Sequence, residues 1–245
     1  MSDRGLEDRA LTVRRFAWDD LPALLDVINT ASAVDGDDQS DTLDGLRARF
    51  ERPYFAPERN CLVAVTDTGA LVGYCTADLD PTVGRGWGTG AVLPAYRGRG
   101  IGTALLRAAD ARHRERAETE MALDLSLSVR RFTRDSAASA VALLEREGYT
   151  AVRSSWFMHV DLAGLPEPPA LPDGVTPRPF VAARDAQAVH AAENTIFGEN
   201  WGYLPVPFEV WQHIRLSDGF DPGLWLVAVA AGEIVGLCLG GPWGE

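Results

Sequence analysis

The chain has 245 residues, 46% of them apolar, which is enough for a packed core and more length than one small domain needs. Its formal net charge is −12 and all 23 basic residues are arginine, a balance that disfavours nucleic acid as a partner because phosphate contacts need basic surface. No apolar run of about 18 residues occurs and the first residues carry no apolar leader, so the expectation is no membrane span and a cytoplasmic location.

Leu11 to Phe16 alternate as a strand. Asp19 or Asp20 then stands where a helix cap belongs, ahead of Leu21, Leu24, Leu25 and Ile28 on one helical face. Thr42 to Phe50 predicts a second short helix. Cys61–Val65 and Leu71–Ala77 flank Asp67-Thr68-Gly69, a hairpin turn. That hairpin would set Cys61 and Cys75 nearly opposite each other, as free buried thiols in a reducing compartment. Gly86–Leu93 reads as one strand, Gly100 to about Glu118 as a long helix, and Ala122–Val129 as a buried strand. Ala137, Val141 and Leu144 mark a further helix ended by Gly148, and Tyr149–Val160 reads as one or two closing strands.

The four histidines are scattered and no Cys-x-x-Cys is present, so no metal site is expected. His113 and His159 lack partners at catalytic spacing and receive no role. The absence of Gly-x-Ser-x-Gly argues against a hydrolase elbow.

The most informative stretch is 91–106. An apolar strand ends at Val92, glycines follow at 98, 100 and 102, and Ile101, Leu105, Ala108 and Ala109 recur at helical spacing. Such a loop aims several backbone N–H groups at one spot, at the positive end of a helix dipole, which makes a socket for a pyrophosphate. Arg97 and Arg99 add positive charge. The alternative is a tight turn whose glycines supply positive φ. No Lys follows the glycines and no Gly-x-Gly-x-x-Gly order is present, which excludes the P-loop and the dinucleotide fingerprint.

The string Arg97-Gly98-Arg99-Gly100-Ile101-Gly102 resembles the acyl-CoA-binding motif of the GNAT N-acetyltransferase superfamily, Arg/Gln-x-x-Gly-x-Gly/Ala. Val92, Pro94 and Tyr96 match the family habit just upstream, and the resemblance covers about 150 residues, order of elements included. It implies an α+β (mixed α/β) GNAT fold, with a central, mostly antiparallel twisted sheet splayed between its fourth and fifth strands and flanked by helices. It further implies acetyl-CoA as cosubstrate without a metal. The diphosphate would meet Arg97, Gly98, Arg99, Gly100, Ile101, Gly102 and Thr103, and the pantetheine arm would lie along Gly90, Ala91 and Val92. The implied activity is transfer of an acetyl group to a primary amine of a small molecule by direct attack. The alternative is a weak or inactive acyl-CoA-binding module that senses or scaffolds.

The family pattern in the last helix is Asn-x-x-Ala-x-x-Leu-Tyr-x-Lys-x-Gly-Phe, onto which Ala137, Ala140, Leu143, Leu144, Arg146, Gly148 and Tyr149 align. Ala137 thus replaces the Asn, and Leu144 replaces the Tyr that would protonate the leaving thiolate; Leu144 reads as core. No carboxylate lies in the strand before the loop, so Asp78 and Asp80 are the candidates for the general base, against a turn or capping role. Arg130, Arg131 and Arg134 either reach the outer CoA phosphates or sit in a solvated loop. Asp35, Asp37, Asp38, Asp41 and Asp44 fall in the region that borders the acceptor in this family, and either gather a cationic amine or form an ordinary solvated loop.

The chain also repeats itself. Thr12-Val-Arg-Arg-Phe16 lines up with Thr176-Pro-Arg-Pro-Phe180, an offset of 176 − 12 = 164, and Leu62–Val65 meets Leu226–Val229 at the same offset. One residue is then lost and Leu71–Cys75 meets Ile234–Cys238. The expected organisation is an acetyltransferase domain over 8–162, a Pro-rich linker over 163–172, and a partial second repeat over 173–245 that lacks the CoA motif. This two-copy plan resembles the mycothiol synthase-like acetyltransferases. The last strand of the partial repeat would present an open edge, to be covered by the first copy as an intramolecular pseudo-dimer or by a second chain as a homodimer.

Overall fold

The computed structural model describes residues 11–36, 40–156, 158, 160–161, 163–164, 167–216 and 220–241, so Asp37, Asp38 and His159 lie outside the described residues. The chain divides into two compact units at Thr150/Ala151.

The first unit runs β1 (Thr12–Arg15), α1 (Leu21–Asp35), α2 (Leu43–Phe50), α3 (Pro57–Asn60), β2 (Cys61–Val65), β3 (Leu71–Thr76), β4 (Asp78–Asp80), β5 (Arg85–Gly88), β6 (Gly90–Val92), α4 (Ile101–Glu120), β7 (Ser128–Arg131) and α5 (Ala138–Arg146). Four strands lie in the order β1-β2-β3-β6 and three in the order β4-β5-β7. All pairings are antiparallel except β5 with β7. β2 is buried on both faces because its alternate residues serve two cores. Cys61 and Val63 pack with Phe16, Leu21, Leu24, Leu46 and Phe50. Leu62 and Ala64 pack with Val72, Cys75, Ile101, Leu105 and Ala109. Helices α1 and α2 therefore cover one side of the sheet and α4 the other.

Several local expectations change. Asp20 stands at the start of α1 without capping it; its carboxylate accepts from the Ala17 N–H and from both terminal nitrogens of Arg14. Thr42 does cap α2, accepting from the Gly45 N–H at 3.1 Å. Cys61 faces Thr76 while Cys75 faces Leu62, so the two free thiols are one register step apart and point to opposite sides of the sheet. The single strand expected over 86–93 is two strands broken at Thr89, where Thr76 takes both backbone groups: the Thr76 N–H donates to Thr89 O and the Thr89 N–H donates to Thr76 Oγ1. The strand expected over 122–129 forms only at Ser128–Arg131, and residues 122–127 are irregular. No strand forms among the described residues of 149–160.

The second unit contains β8 (Val175–Pro179), α6 (Ala182–Phe197), α7 (Phe208–Arg215), β9 (Trp225–Ala230) and β10 (Glu233–Leu239), with its sheet ordered β10-β9-β8. The sequence repeat reappears as repeated register. Thr12 pairs with Val65 and Thr176 with Val229; Leu62 pairs with Cys75 and Leu226 with Cys238. Both hairpins slip at equivalent places, skipping Val72 in one and Val235 in the other. An Arg–Asp clamp is copied too: Arg14 grips Asp20 at 2.7 and 2.7 Å, and Arg178 grips Asp185 at 2.7 and 2.9 Å. In each copy the aspartate also accepts a backbone N–H, from Ala17 or Val181, that opens the helical segment.

Candidate active site

Gly98 and Gly100 adopt φ of +75° and +79°, where an L side chain is strained, and neither position has a neighbour within 4 Å of where a Cβ would stand. The loop is thus bent by its glycines and open outward. Gly100 caps the 20-residue α4 without a side-chain acceptor, and the first backbone bond of the helix runs from the Ala104 N–H to Gly100 O at 3.0 Å. The N–H groups of Ile101, Gly102 and Thr103 therefore head the helix with no intrahelical partner, at the positive end of its dipole. The Ile101 side chain anchors this turn in the core. Gly102 makes room for α5, since a Cβ there would stand 3.1 Å from Leu143 Cδ2. Thr103 Oγ1 accepts from Arg146 at 3.0 Å.

The two arginines of the loop differ. Arg99 donates to Ala95 O at 3.2 Å and lies over the Tyr96 ring. Arg97 is committed inside the protein: Nη1 and Nη2 donate to Asp35 at 2.7 and 2.9 Å, and Nε donates to Val92 O at 3.0 Å. Its guanidinium ties the loop to the end of α1. Within the acidic stretch, Asp35 is held by Arg97, and Asp41 by Arg49 at 2.7 Å.

Gly90, Ala91 and Val92 pair with Cys75, Tyr74 and Gly73 along one edge of β6. Their other edge has no strand partner among the described residues, because β7 pairs with β5 only. The sheet thus parts beyond the Gly88–Arg131 pair and opens alongside β6. Gly90 is required by close approach: a Cβ would stand 2.7 Å from Tyr74 O.

Asp78 and Asp80 end up in different settings. Asp80 closes a turn, accepting from the Thr82 N–H at 2.9 Å and the Thr82 hydroxyl at 2.6 Å. Asp78 is buried and paired with Arg52, whose guanidinium lies 3.8 Å from the centre of the Phe55 ring. Burial pushes the Asp78 carboxyl up to about 6, against the opposing pull of Arg52 and Arg116. From α4, His113 Nε2 approaches two carbonyls, Asp78 O at 2.8 Å and Trp87 O at 3.2 Å, so this nitrogen carries the proton. His113 Nδ1 is buried without a hydrogen-bond partner. The ring is neutral, because burial and then Arg131 lower its basicity.

A second buried polar group lies where the sheet parts. Arg131 is the last residue of β7, not part of a loop open to CoA phosphates, and its side chain is 6% exposed. Nη1 donates to Thr76 O at 3.0 Å with Cys75 Sγ at 3.5 Å, and Nη2 donates to Asp110 of α4 at 3.0 Å. The Tyr149 hydroxyl donates to the same Asp110 oxygen at 2.7 Å, and burial pushes that phenol up to about 12. Leu144 is half-buried, at the level of its helix neighbours and outside the main core. Asp110 has one signal in the sequence, an acid between the apolar Leu106 and Ala109 and the histidine His113 on α4, positions that are buried in the fold.

A family model described as an acetyltransferase (GNAT) domain matches residues 57–151. A mycothiol acetyltransferase of Salinispora tropica is 33% identical over 219 residues, 88% of this chain and 66% of that one. Another, of Saccharomonospora viridis, is 30% identical over 242 residues, 92% of this chain and 71% of that one. A solved structure, a GCN5-related N-acetyltransferase from Sphaerobacter thermophilus, superposes with a TM-score of 0.71 at 30% identity, covering 95% of this chain and 72% of that one. The chain belongs to the GNAT acetyltransferase family. Its mixed α+β architecture, mostly antiparallel sheets flanked by helices, is the GNAT fold. It spans 55% and 66% of the two Salinispora mycothiol acetyltransferases it matches. Among the described residues no helix is long and apolar enough to cross a membrane, and no three His, Cys, Asp or Glu are grouped to hold a metal ion. The open glycine loop, the unpartnered N–H groups of α4 and the free edge of β6 fit a long ligand with an anionic diphosphate and an amide-bearing arm, as acyl-CoA has.

Proposed function

We propose that the first unit transfers an acetyl group from acetyl-CoA to a primary amine of a small molecule by direct attack. The observation that carries the reading is the head of α4: three N–H donors with no intrahelical partner, beneath two positive-φ glycines, beside a strand edge with no strand partner among the described residues. The diphosphate would rest on the N–H groups of Ile101, Gly102 and Thr103, with Arg99 at the rim. The pantetheine amides would pair with the free edge of Gly90, Ala91 and Val92. The thioester then arrives near the place where the sheet parts.

The neutral amine attacks the thioester carbonyl, whose oxygen gathers negative charge and is stabilised by strand N–H groups. The C–N bond forms, the C–S bond breaks, and the CoA thiolate leaves. The proton lost by the amine passes to the Asp78 carboxylate, directly or through water. With its proton affinity raised to about 6, Asp78 is still largely ionised at neutral pH and a stronger base than an ordinary aspartate. Asp80, closed into its turn, shapes the chain reversal after β4. The acceptor class follows the relatives, which are named for mycothiol, so amines related to that compound lead the panel to test.

The test is release of free thiol from acetyl-CoA in the presence of mycothiol-related amines, amino acids, polyamines and aminoglycosides. Acceptor-dependent release is the expected result. Tight CoA binding without release on any amine would instead favour the sensor or scaffold reading.

A further inference from the structure

Arg131 ends the pairing of β7 with β5, at the point beyond which β6 has no strand partner on that side among the described residues, and nothing in the proposed reaction uses it. Its four neighbouring groups come from three parts of the chain: Thr76 O and Cys75 Sγ on β3, Asp110 on α4, and Tyr149 after α5. The guanidinium passes beneath Gly88, its own register partner, where a Cβ would collide with both Thr76 O and Arg131 Nη1. Thr76 in turn holds both backbone groups of Thr89, the residue at the break between β5 and β6. One buried cation thus fixes β7 to β3 immediately below the residue from which β6 sets off alone. Burial alone would lower the proton affinity of the Arg131 guanidinium. Cys75, Tyr149 and Asp110 reverse this and hold it above its ordinary value. A buried arginine with three satisfied directions is a rigid strut, since losing Asp110 would leave its charge uncompensated and losing another partner would leave a buried donor unpaired.

We propose that Arg131, oriented by Asp110 and Tyr149, is the positioning residue for the acyl end of the bound thioester: it sets the point where the cleft closes and so where the acetyl carbonyl stops against the strand N–H groups. The inference rests on acyl-CoA lying along β6 as proposed above. Affinity and positioning should then separate. The diphosphate grip is at the head of α4, nine residues before Asp110 along the helix (110 − 101 = 9) and so about 14 Å away. Loss of the strut should leave affinity nearly intact while the reacting carbon loses its fixed place, and small misplacements of reacting atoms cost on the order of 100-fold in rate.

The test uses acetyl-CoA carrying 13C at the acetyl carbonyl and needs no acceptor amine. The full chain is compared with Arg131→Met, Arg131→Lys and the milder Tyr149→Phe, each first checked for a cooperative thermal transition. The wild type should show a bound carbonyl resonance displaced downfield from that of free acetyl-CoA. Arg131→Met should return it towards the free position while the CoA dissociation constant, by calorimetry, changes less than about 3-fold. Arg131→Lys, which keeps charge but not the planar fork, should recover only part of the displacement. Tyr149→Phe should give a smaller change in the same direction, and it carries the test should Arg131→Met fail to fold. A wild-type carbonyl that does not move on binding, or an unchanged displacement in the variants, would overturn the inference. Absence of any CoA binding by the wild type would overturn the underlying reading instead.

Discussion

Arg97 gives both terminal nitrogens to Asp35, at 2.7 and 2.9 Å, and its Nε to the carbonyl of Val92, at 3.0 Å. A residue expected to meet a phosphate is thereby the tie between the glycine loop, the end of β6 and the end of α1. Asp35→Asn distinguishes the two roles. As a tie, its loss loosens the loop, weakens CoA binding by a few-fold, and lowers stability by about 1 kcal/mol, the scale of a partly exposed pair. A freed Arg97 that gripped the diphosphate would make the variant bind more tightly. Calorimetric titration of CoA, with a denaturant curve on the same sample, checks both.

Gly100 combines a φ of +79° with open space outside it. Gly100→Ala meets no neighbour and costs only backbone strain, about 1 kcal/mol in stability, with CoA affinity reduced several-fold at most. Gly100→Glu adds the same strain and a carboxylate at the mouth of the anion socket, and should weaken CoA by more than about 10-fold. Equal affinities for the two variants would remove electrostatics from the explanation.

Asp78 supplies a pH dependence of activity. With its carboxyl raised to about 6 by burial, the ionised base is lost as pH falls through that value, so kcat/KM should fall below about pH 6. Asp78→Asn should lower kcat by about 100-fold or more and leave CoA affinity within a few-fold. The measurement is the pH profile with the best amine from the thiol-release panel. An unchanged acid limb in Asp78→Asn would assign that limb to another group.

His113 supplies a pH dependence of stability. Its folded proton affinity lies below the ordinary value of 6.5, because burial, and then Arg131, disfavour the charged ring. The unfolded chain binds a proton near pH 6.5 that the folded chain refuses. Its contribution is therefore complete above pH 6.5 and is lost as pH falls through the lower folded value. Asp78 works the other way over the more acid range, since its folded carboxyl holds its proton to higher pH. The difference between wild type and His113→Gln isolates the histidine: urea midpoints compared at pH 7.5 and 5.5 should fall more steeply for the wild type.

Much of this was legible from residues alone, for identifiable reasons. Positive φ at Gly98 and Gly100 and the helix after them follow from glycine placement and 3.6-residue periodicity, both local properties. The repeat between the two sheets was legible because a repeated sequence repeats its register, down to the slipped residues Val72 and Val235. What escaped is tertiary. The break at Thr89 is fixed by Thr76, thirteen residues earlier, and nothing local in Arg85–Val92 announces it. The Arg97–Asp35 tie spans 62 positions. Arg131 read as a loop residue because the strand begins at Ser128, later than the apolar run from Ala122 suggests. The network at Asp110 and Tyr149 is invisible until α4, β7 and α5 are folded together.

The central claim is that backbone donors at the head of α4 hold the diphosphate of CoA, and amide spectra of 15N-labelled protein titrated with CoA address it at the atoms concerned. The account predicts that the amides of Ile101, Gly102 and Thr103 move furthest downfield and that the same three stay still when CoA is replaced by pantetheine, which has the arm without the diphosphate. Saturable binding of CoA with those three resonances unmoved would contradict it.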